Sequence, residues 1–332
     1  MKNKKILTLQ NSSKQKILNA ISSIIKESQT FFIAGHTKPD GDALGSGLAL
    51  SSMLRRMGKK VTHCSTDPVP SDMLFIPQAN KIKITNKVKG FFDCAIILES
   101  INFERMGNII SPEQAKRIIN IDHHFAYTNF GDVNYVVPES SSVSELVYDV
   151  FKNLKTVPTK QEAENLYIGI VTDTGRFQQL NTNSNSHSVT AELLKYGVNS
   201  NSLCKKLFST FELPKIKLYG LALSNIKTAF NNKFIYIKIT KEMFEKTGSS
   251  YTDTDGIINY CIAVPTAVVG CILKEEKPGS IKISFRSVEK FNLLKVIKQF
   301  DGGGHKNAAG CTIKADMDTA EKKLLKAFAE KL

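Results

Sequence analysis

Runs of apolar residues are followed by acidic or imidazole side chains at four places in the chain. The side chains concerned are His36, Asp40 and Asp42, then Glu99, then Asp122, His123 and His124, and finally Asp173. Imidazole nitrogens and carboxylate oxygens together suit a divalent cation such as Mn²⁺. Open α/β sheets place their sites at the carboxyl ends of their strands. The pattern therefore predicts a metal site at one edge of a sheet.

A purely structural role is the alternative for the first of these clusters. Asp42 lies at a predicted helix start, where a carboxylate also pairs with free N–H groups. Pro39, Asp40 and Gly41 form an ordinary turn sequence as well. Taken alone, the segment supports metal binding and capping about equally. The three other clusters favour the metal.

The first half of the chain has the pattern of alternating strands and helices. Residues 31–34 and 60–64 have the character of short strands, and the segment between them has the apolar spacing of a helix. Two more apolar runs, residues 91–98 and 117–121, end at Glu99 and Asp122. Strand–helix–strand order at this length indicates parallel βαβ units. We predict an α/β domain with a parallel sheet over residues 14–196, after a frayed tail at residues 1–13.

The pattern changes in the last hundred residues. Residues 215–229 are expected to form one long helix, so residues 197–230 are assigned as a helical linker. Strands expected at 233–240, 267–274, 281–285 and 311–314, with a helix at 319–331, indicate a smaller α+β domain over residues 231–332.

Composition limits the classes of function. The 332 residues correspond to about two domains, and 45 Lys+Arg against 31 Asp+Glu give a formal charge of +14. This balance favours nucleotides, short nucleic acids or phosphates as partners. Six cysteines without a C-x-x-C pair fit a reducing compartment. Because neither a signal-peptide pattern nor an apolar run of about 18 residues is evident, we expect a cytoplasmic protein without a membrane span. A homodimer is one of the open oligomeric states.

The motifs together resemble the DHH phosphoesterase superfamily. The chain contains the triplet Asp122-His123-His124 and the opening G-H-x-x-P-D-G-D-x-x-G-S at residues 35–46. The sequence G-G-G-H-x-x-A-A-G at residues 302–310 is similar to the glycine-rich motif of the DHH-associated second domain. Chain length and the segments 169–177 and 284–287 look like those of the stand-alone nanoRNase and pAp phosphatase group.

The resemblance implies a centre of two divalent ions, Mn²⁺ first, with Mg²⁺ or Co²⁺ as alternatives. The implied ligands are His36 and Asp40 for one ion, Asp42, His123 and Asp173 for the other, and Glu99 as a bridge. Two cations about 3.5–4 Å apart activate a water and clamp the attacking and leaving oxygens of a phosphoryl group. The implied reaction is attack on phosphorus by a metal-bridged hydroxide. Asp122 would orient an imidazole, and His124 would face the substrate phosphate.

The resemblance also implies a substrate-binding role for the second domain. Its candidate residues are Arg286, Gly302, Gly303, Gly304 and His305. Successive glycines let backbone N–H groups approach an anion, and a guanidinium can bind a phosphate through two N–H groups. Arg176 is a further candidate, with a plain surface arginine as its alternative. Without the resemblance, the glycine run would be more typical of a turn.

Glu99 departs from the superfamily pattern, which ordinarily has aspartate at this position. The extra methylene either preserves the bridge or alters the metal spacing and slows the chemistry. We predict a Mn²⁺-dependent hydrolase of short oligonucleotides, of pAp, or of both. A phosphodiesterase for cyclic di-AMP or pApA stays an alternative, as does a catalytically degenerate regulator that binds nucleotides. The implied partners are short oligonucleotides, mononucleotides or dinucleotides.

Overall fold

The computed structural model describes residues 6–332, apart from the side chains of Glu276 and His305. The chain forms two compact units, of which the first ends at Thr210 and the second spans Phe211–Leu332. The division into 14–196, 197–230 and 231–332 stays a prediction. Among the helices of the described part, none combines the length and the apolarity that crossing a bilayer requires.

A parallel sheet forms the centre of the first unit. Its six strands are β1 (Thr30–Ala34), β2 (Lys60–Ser65), β3 (Lys83–Ile84), β4 (Phe92–Leu98), β5 (Ala115–Asp122) and β6 (Val133–Val136). They lie in the order β3-β2-β1-β4-β5-β6, and every pairing is parallel. The central strands are buried on both faces, which explains their nearly continuous apolar sequences. The predicted α/β class is confirmed.

Six helices accompany this sheet. They are α1 (Lys14–Glu27), α2 (Gly41–Arg56), α3 (Val143–Asn153), α4 (Lys160–Asp173), α5 (Ser184–Leu194) and α6 (Ser200–Phe208). Polar side chains cap their first turns: Asp40 accepts hydrogen bonds at the start of α2, Ser142 at α3 and Thr159 at α4. These caps determine where each helix begins, and two of them belong to segments that carry candidate ligands.

Glycines allow α2 and α4 to pack closely. A Cβ at Gly45 would collide with the carbonyl oxygen of Asn165 on α4, and a Cβ at Gly169 would collide with Ser144 Oγ and Asp42 Oδ1. These positions therefore accept only glycine without a shift of the helices. The close approach brings Asp42, near the start of α2, towards the end of α4 at Asp173.

The second unit contains a mixed sheet. Its strands are β7 (Lys227–Ala229), β8 (Phe234–Ile239), β9 (Val269–Lys277), β10 (Ser280–Ser287), β11 (Gly303–His305) and β12 (Ala308–Ile313). Its helices are α7 (Leu213–Ser224), α8 (Lys241–Thr247), α9 (Ile257–Ile262), α10 (Leu294–Ile297) and α11 (Met317–Phe328). The order is β11-β12-β10-β9-β8-β7, with β8 and β9 parallel and the other pairs antiparallel. The predicted α+β character of this part is thus observed.

Two expectations about local structure are wrong. The helix expected over residues 215–229 ends at Ser224, and Lys227–Ala229 instead pairs with β8 as an edge strand. The tail expected over residues 1–13 is partly ordered, because Leu7 bridges Val133 and Leu7 N–H donates to Asp132 O at 3.0 Å. In both places an open sheet edge offers backbone groups that need partners. Residues 1–5 lie outside the described part.

Candidate metal centre

Three neighbouring strands deliver side chains to one edge of the parallel sheet. Strand β1 leads into His36, β4 into Glu99, and β5 ends at Asp122 before His123 and His124. Because β1, β4 and β5 are adjacent and parallel, their carboxyl ends lie side by side. We call this place, with Asp40, Asp42 and Asp173, the metal-ligand edge. The structure brings together all eight of the residues predicted there.

One group of donor atoms consists of His36, Asp40 and Glu99. His36 Nε2 lies 3.5 Å from Asp40 Oδ2 and 3.7 Å from Glu99 Oε2. His36 Nδ1 lies 2.7 Å from the carbonyl oxygen of Thr37, so the hydrogen is assigned to Nδ1 and Nε2 faces the carboxylates. Two donors that share one cation at about 2.1 Å stand roughly 3–3.7 Å apart. The geometry fits a shared ion.

A second group consists of Asp42, Glu99 and His123. Ligand atoms of these three residues lie within 4.8 Å of one another, as do those of His36, Asp40 and Glu99. His123 Nδ1 lies 3.1 Å from Ser140 O, and its Nε2 lies 3.6 Å from Asp173 Oδ2. Asp173, the last residue of α4, therefore lies beside this group. Glu99 is the member that the two groups share.

Glu99 occupies an unusual position. Its φ of 52° is left-handed, and its side chain is buried with only 3% of the residue exposed. Its Oε2 has no hydrogen-bond partner among the described residues. Burial, and the charges of Asp40 and Asp42, raise the pKa of this carboxyl well above its usual range. A buried carboxylate oxygen without a donor is costly unless a cation or proton compensates it, so this site fits the predicted ions.

Neighbouring charges alter the protonation of the other candidate ligands. Burial lowers the pKa of His36, but Asp40 and Glu99 outweigh it and raise that pKa to about 10. Burial and the charge of Asp42 raise the pKa of Asp173 to about 7. Neighbouring carboxylates contribute to both changes, in addition to burial at Asp173, and the same negative charge would attract a pair of dications.

Asp42 also connects the site to the start of α3. Its Oδ2 accepts a hydrogen bond from Val143 N at 2.5 Å, and its Oδ1 accepts from Ser144 N at 2.9 Å and Ser144 Oγ at 2.5 Å. The carboxylate thus satisfies the free N–H groups at a helix N-terminus. The two alternatives for this position, ligand and helix partner, are compatible, although the helix is α3 and not α2.

Asp122 organises the loop after β5. Its Oδ1 accepts hydrogen bonds from His123 N at 2.8 Å, His124 N at 3.3 Å and His124 Nδ1 at 2.8 Å. His124 Nε2 lies 3.5 Å from a guanidinium nitrogen of Arg105. Arg105 comes from the 3₁₀ turn Phe103–Met106 that follows β4. Its position beside His124 was not predicted, because only the loop after Glu99 brings it there.

A polar network behind His123 and Asp173 was also missed. Asn181 Nδ2 lies 2.9 Å from Ser141 O, 3.1 Å from Asp173 O and 3.3 Å from Asp173 Oδ2. Glu145 is buried and accepts from Ser140 Oγ at 3.2 Å, from Ser141 Oγ, and from Asn185 Nδ2 at 2.6 Å. Ser142 caps α3, whereas the Glu145 side chain, three residues later, turns to these serines.

Arg176, Arg286 and the glycine run are the remaining candidates. The Arg176 guanidinium rests on the ring of Phe208, 5.0 Å from its centroid, and not on a ligand carboxylate. Arg286 is exposed on β10. Gly303 and Gly304 belong to strand β11, paired with β12, so the expected glycine loop is partly an edge strand. The side chain of His305 lies outside the described residues.

Comparisons with known proteins show what the chain resembles. Residues 30–170 match the DHH family, N-terminal domain, and residues 231–332 match the DHHA1 domain. A bifunctional oligoribonuclease and PAP phosphatase NrnA of Thermus thermophilus is 31% identical over 303 residues, covering 91% of this chain and 90% of that protein. Its Bacillus subtilis counterpart is 29% identical over 289 residues, covering 86% and 89%. The crystal structure of an exopolyphosphatase-related protein from Bacteroides fragilis superposes with a TM-score of 0.86 at 28% identity, covering 95% and 96%.

Proposed function

Because the chain belongs to the DHH phosphoesterase family, we propose that it degrades oligonucleotides a few nucleotides long from one end and removes a phosphate from pAp. Members of this family hydrolyse phosphoric esters and bind divalent metal ions. Relatives that match along most of their length carry both activities in their names. The net charge of +14 fits polyanionic substrates. We propose Mn²⁺ as the native ion.

The observation that carries the proposal is the position of Glu99. It is the one residue common to the two groups of donors, His36–Asp40–Glu99 and Asp42–Glu99–His123. A carboxylate with two oxygens can serve two neighbouring cations at once. In the proposed centre, His36 and Asp40 would hold one ion, Asp42, His123 and Asp173 would hold the other, and Glu99 would serve both.

When bound, such a pair of dications supplies a water of lowered pKa and neutralises charge on the phosphoryl group. The protein's own residues do the rest. His36 and His123 are oriented by the carbonyl groups of Thr37 and Ser140, which leaves each Nε2 directed at the donor groups.

The proposed role of His124 follows from its hydrogen bonds. Asp122 accepts from its Nδ1 and fixes the ring, so that Nε2 is the nitrogen that can face a phosphate or leaving-group oxygen. Arg105, at the same nitrogen, adds positive charge beside the place where negative charge develops.

A panel of substrates tests the proposal. Purified protein is given pAp, pApA, cyclic di-AMP and labelled RNA and DNA of two to five nucleotides, each with Mn²⁺, Mg²⁺ or Co²⁺. We expect turnover of pAp and of short RNA, fastest with Mn²⁺. Exclusive turnover of cyclic di-AMP or pApA would replace the proposed substrates. Binding of nucleotide without any product over hours would contradict the proposal and support a regulator.

Two variants of Glu99 test the bridge. Glu99→Asp should retain or raise turnover, because a carboxylate remains at the position that the superfamily fills with aspartate. Glu99→Ala should lose bound Mn²⁺, measured by metal analysis after gel filtration, and most activity. Wild-type metal content and activity in Glu99→Ala would show that Glu99 is not a bridging ligand.

A further inference from the structure

The sheet of the second unit is covered unequally. On one face, Phe234, Phe285 and Phe328 belong to a core that α11 closes. On the other face, α7, α8 and α9 pack against β8 and β9 through Leu218, Met243 and Ile257. Where side chains are described, the residues of β10, β11 and β12 that point to this second side are exposed or half-buried. We call this uncovered part of the sheet, formed by β10, β11 and β12, the open face.

Small residues form the middle of the open face. Gly303, Gly310 and Ser284 are in register across β11, β12 and β10. A Cβ at Gly303 would meet nothing within 4 Å, so the backbone itself is accessible there. Glycine inside a strand is typical of places where a ligand approaches the backbone closely.

Cationic side chains stand at both ends of this row. Arg286 follows Ser284 by two residues along β10 and Lys282 precedes it by two, so all three share one face. A cavity of about 700 Å³ extends from the row towards Lys282, Thr312 and Lys314, with Asp301 as its one lining carboxylate. Lys282 Nζ lies 5.9 Å from the centroid of the Tyr251 ring, so the ammonium stays over the sheet.

The spacing of these charges suits a chain of phosphates. Residues two apart on a strand are separated by about 6.7 Å, and Arg286 and Lys282 by about 13 Å. A mononucleotide with two phosphates is short enough to occupy only the part of the row near Arg286. A linear strand of several nucleotides can lie along the row and also place a phosphate at Lys282 and Lys314.

We propose that Lys282 and Lys314 form a subsite for the additional phosphates of a linear oligonucleotide, so that the open face sets how strongly the protein prefers short strands over single nucleotides. The inference rests on the proposed function and extends it. It assigns a length-dependent role to two lysines that lie outside the glycine and arginine motif.

Equilibrium binding tests the subsite without hydrolysis. Full-length protein in EDTA is titrated against a fluorescein-labelled pentaribonucleotide and a labelled dinucleotide, and anisotropy gives each Kd. The test variant is Lys282→Gln/Lys314→Gln. The matched control, Lys322→Gln/Lys326→Gln, removes the same charge from exposed positions of α11, on the other side of the sheet.

In the test variant the Kd of the pentanucleotide should rise about tenfold at low salt, and the slope of log Kd against log salt should fall by about two. The Kd of the dinucleotide should change less than about twofold in both variants. Equal weakening of both ligands, or equal effects of the test and control pairs, would overturn the subsite. The proposed function would be overturned if the protein turned over no substrate of the panel above. The titration measures binding without hydrolysis, so its outcome does not depend on that result.

Discussion

The metal-ligand edge and the open face are built in opposite ways. At the metal-ligand edge, Asp42, Glu99 and Asp122 are at most 3% exposed, and Asp42 and Asp122 are held by backbone N–H groups. On the open face, Lys282, Arg286 and Lys314 are exposed and the floor is backbone. Reaction chemistry requires donors fixed in place before the substrate arrives. Recognition of a flexible polyanion requires only charge at the right spacing. Variants in the two regions should therefore differ in what they change.

The largest effect is expected from Asp173→Asn. The substitution keeps the shape of the side chain and removes one proposed ligand charge, so kcat should fall by at least about a thousandfold. Bound Mn²⁺, counted by metal analysis, should fall as well, while the thermal midpoint of the metal-free protein stays near that of the wild type. The exposed Asp72→Asn serves as the charge control. A kcat within tenfold of the wild type would remove Asp173 from the centre.

Gly169→Ala tests whether the close packing of α2 and α4 supports the site. The new methyl group would collide with Ser144 Oγ and Asp42 Oδ1, so we expect a loss of about 1–3 kcal/mol in the free energy of unfolding. Urea denaturation measures this. Gly220→Ala, in α7, meets nothing within 4 Å and should be neutral or more stable by up to about 1 kcal/mol. Equal responses of the two variants would argue against tight packing at Gly169.

Asn181→Ala examines the support behind the ligands. Without its amide, Asp173 and the Ser141 carbonyl lose their common donor, and Mn²⁺ affinity should weaken by about 10–100-fold. Titration calorimetry measures the affinity, and excess Mn²⁺ should restore much of the activity. Gln178→Ala, exposed in the same loop, is the matched control. An unchanged Mn²⁺ affinity would leave Asn181 with a structural role only.

The smallest effect is expected from Arg286→Ala on the open face. KM for pAp should rise about tenfold with kcat nearly unchanged, because a phosphate contact made equally in the ground and transition states contributes uniform binding. Arg286→Lys should recover only part of the loss, since an ammonium lacks the two-pronged geometry of the guanidinium. A fall in kcat without a rise in KM would show that Arg286 acts in the reaction step. The two regions would then not differ in the way described.

The sequence by itself determined the strands that end in ligands and the order of the two domains. Strand ends are marked locally, because an apolar run followed by His36, Glu99 or Asp122 needs no distant information. The parallel pairing of β1 and β2 then follows from the helix α2 that connects them. Helix starts also carry a local signal, since Ser142 and Thr159 cap α3 and α4 with their own side chains.

Only the tertiary structure decided which distant groups support those ligands. Nothing in the sequence singles out Asn181 or Glu145, yet Asn181 contacts Ser141 and Asn185 contacts Glu145, each pair being 40 positions apart. Leu7 and residues 227–229 pair as they do because open sheet edges bind the backbone that lies beside them. Such partners are selected by packing in three dimensions, and neither residue type nor spacing along the chain encodes them locally.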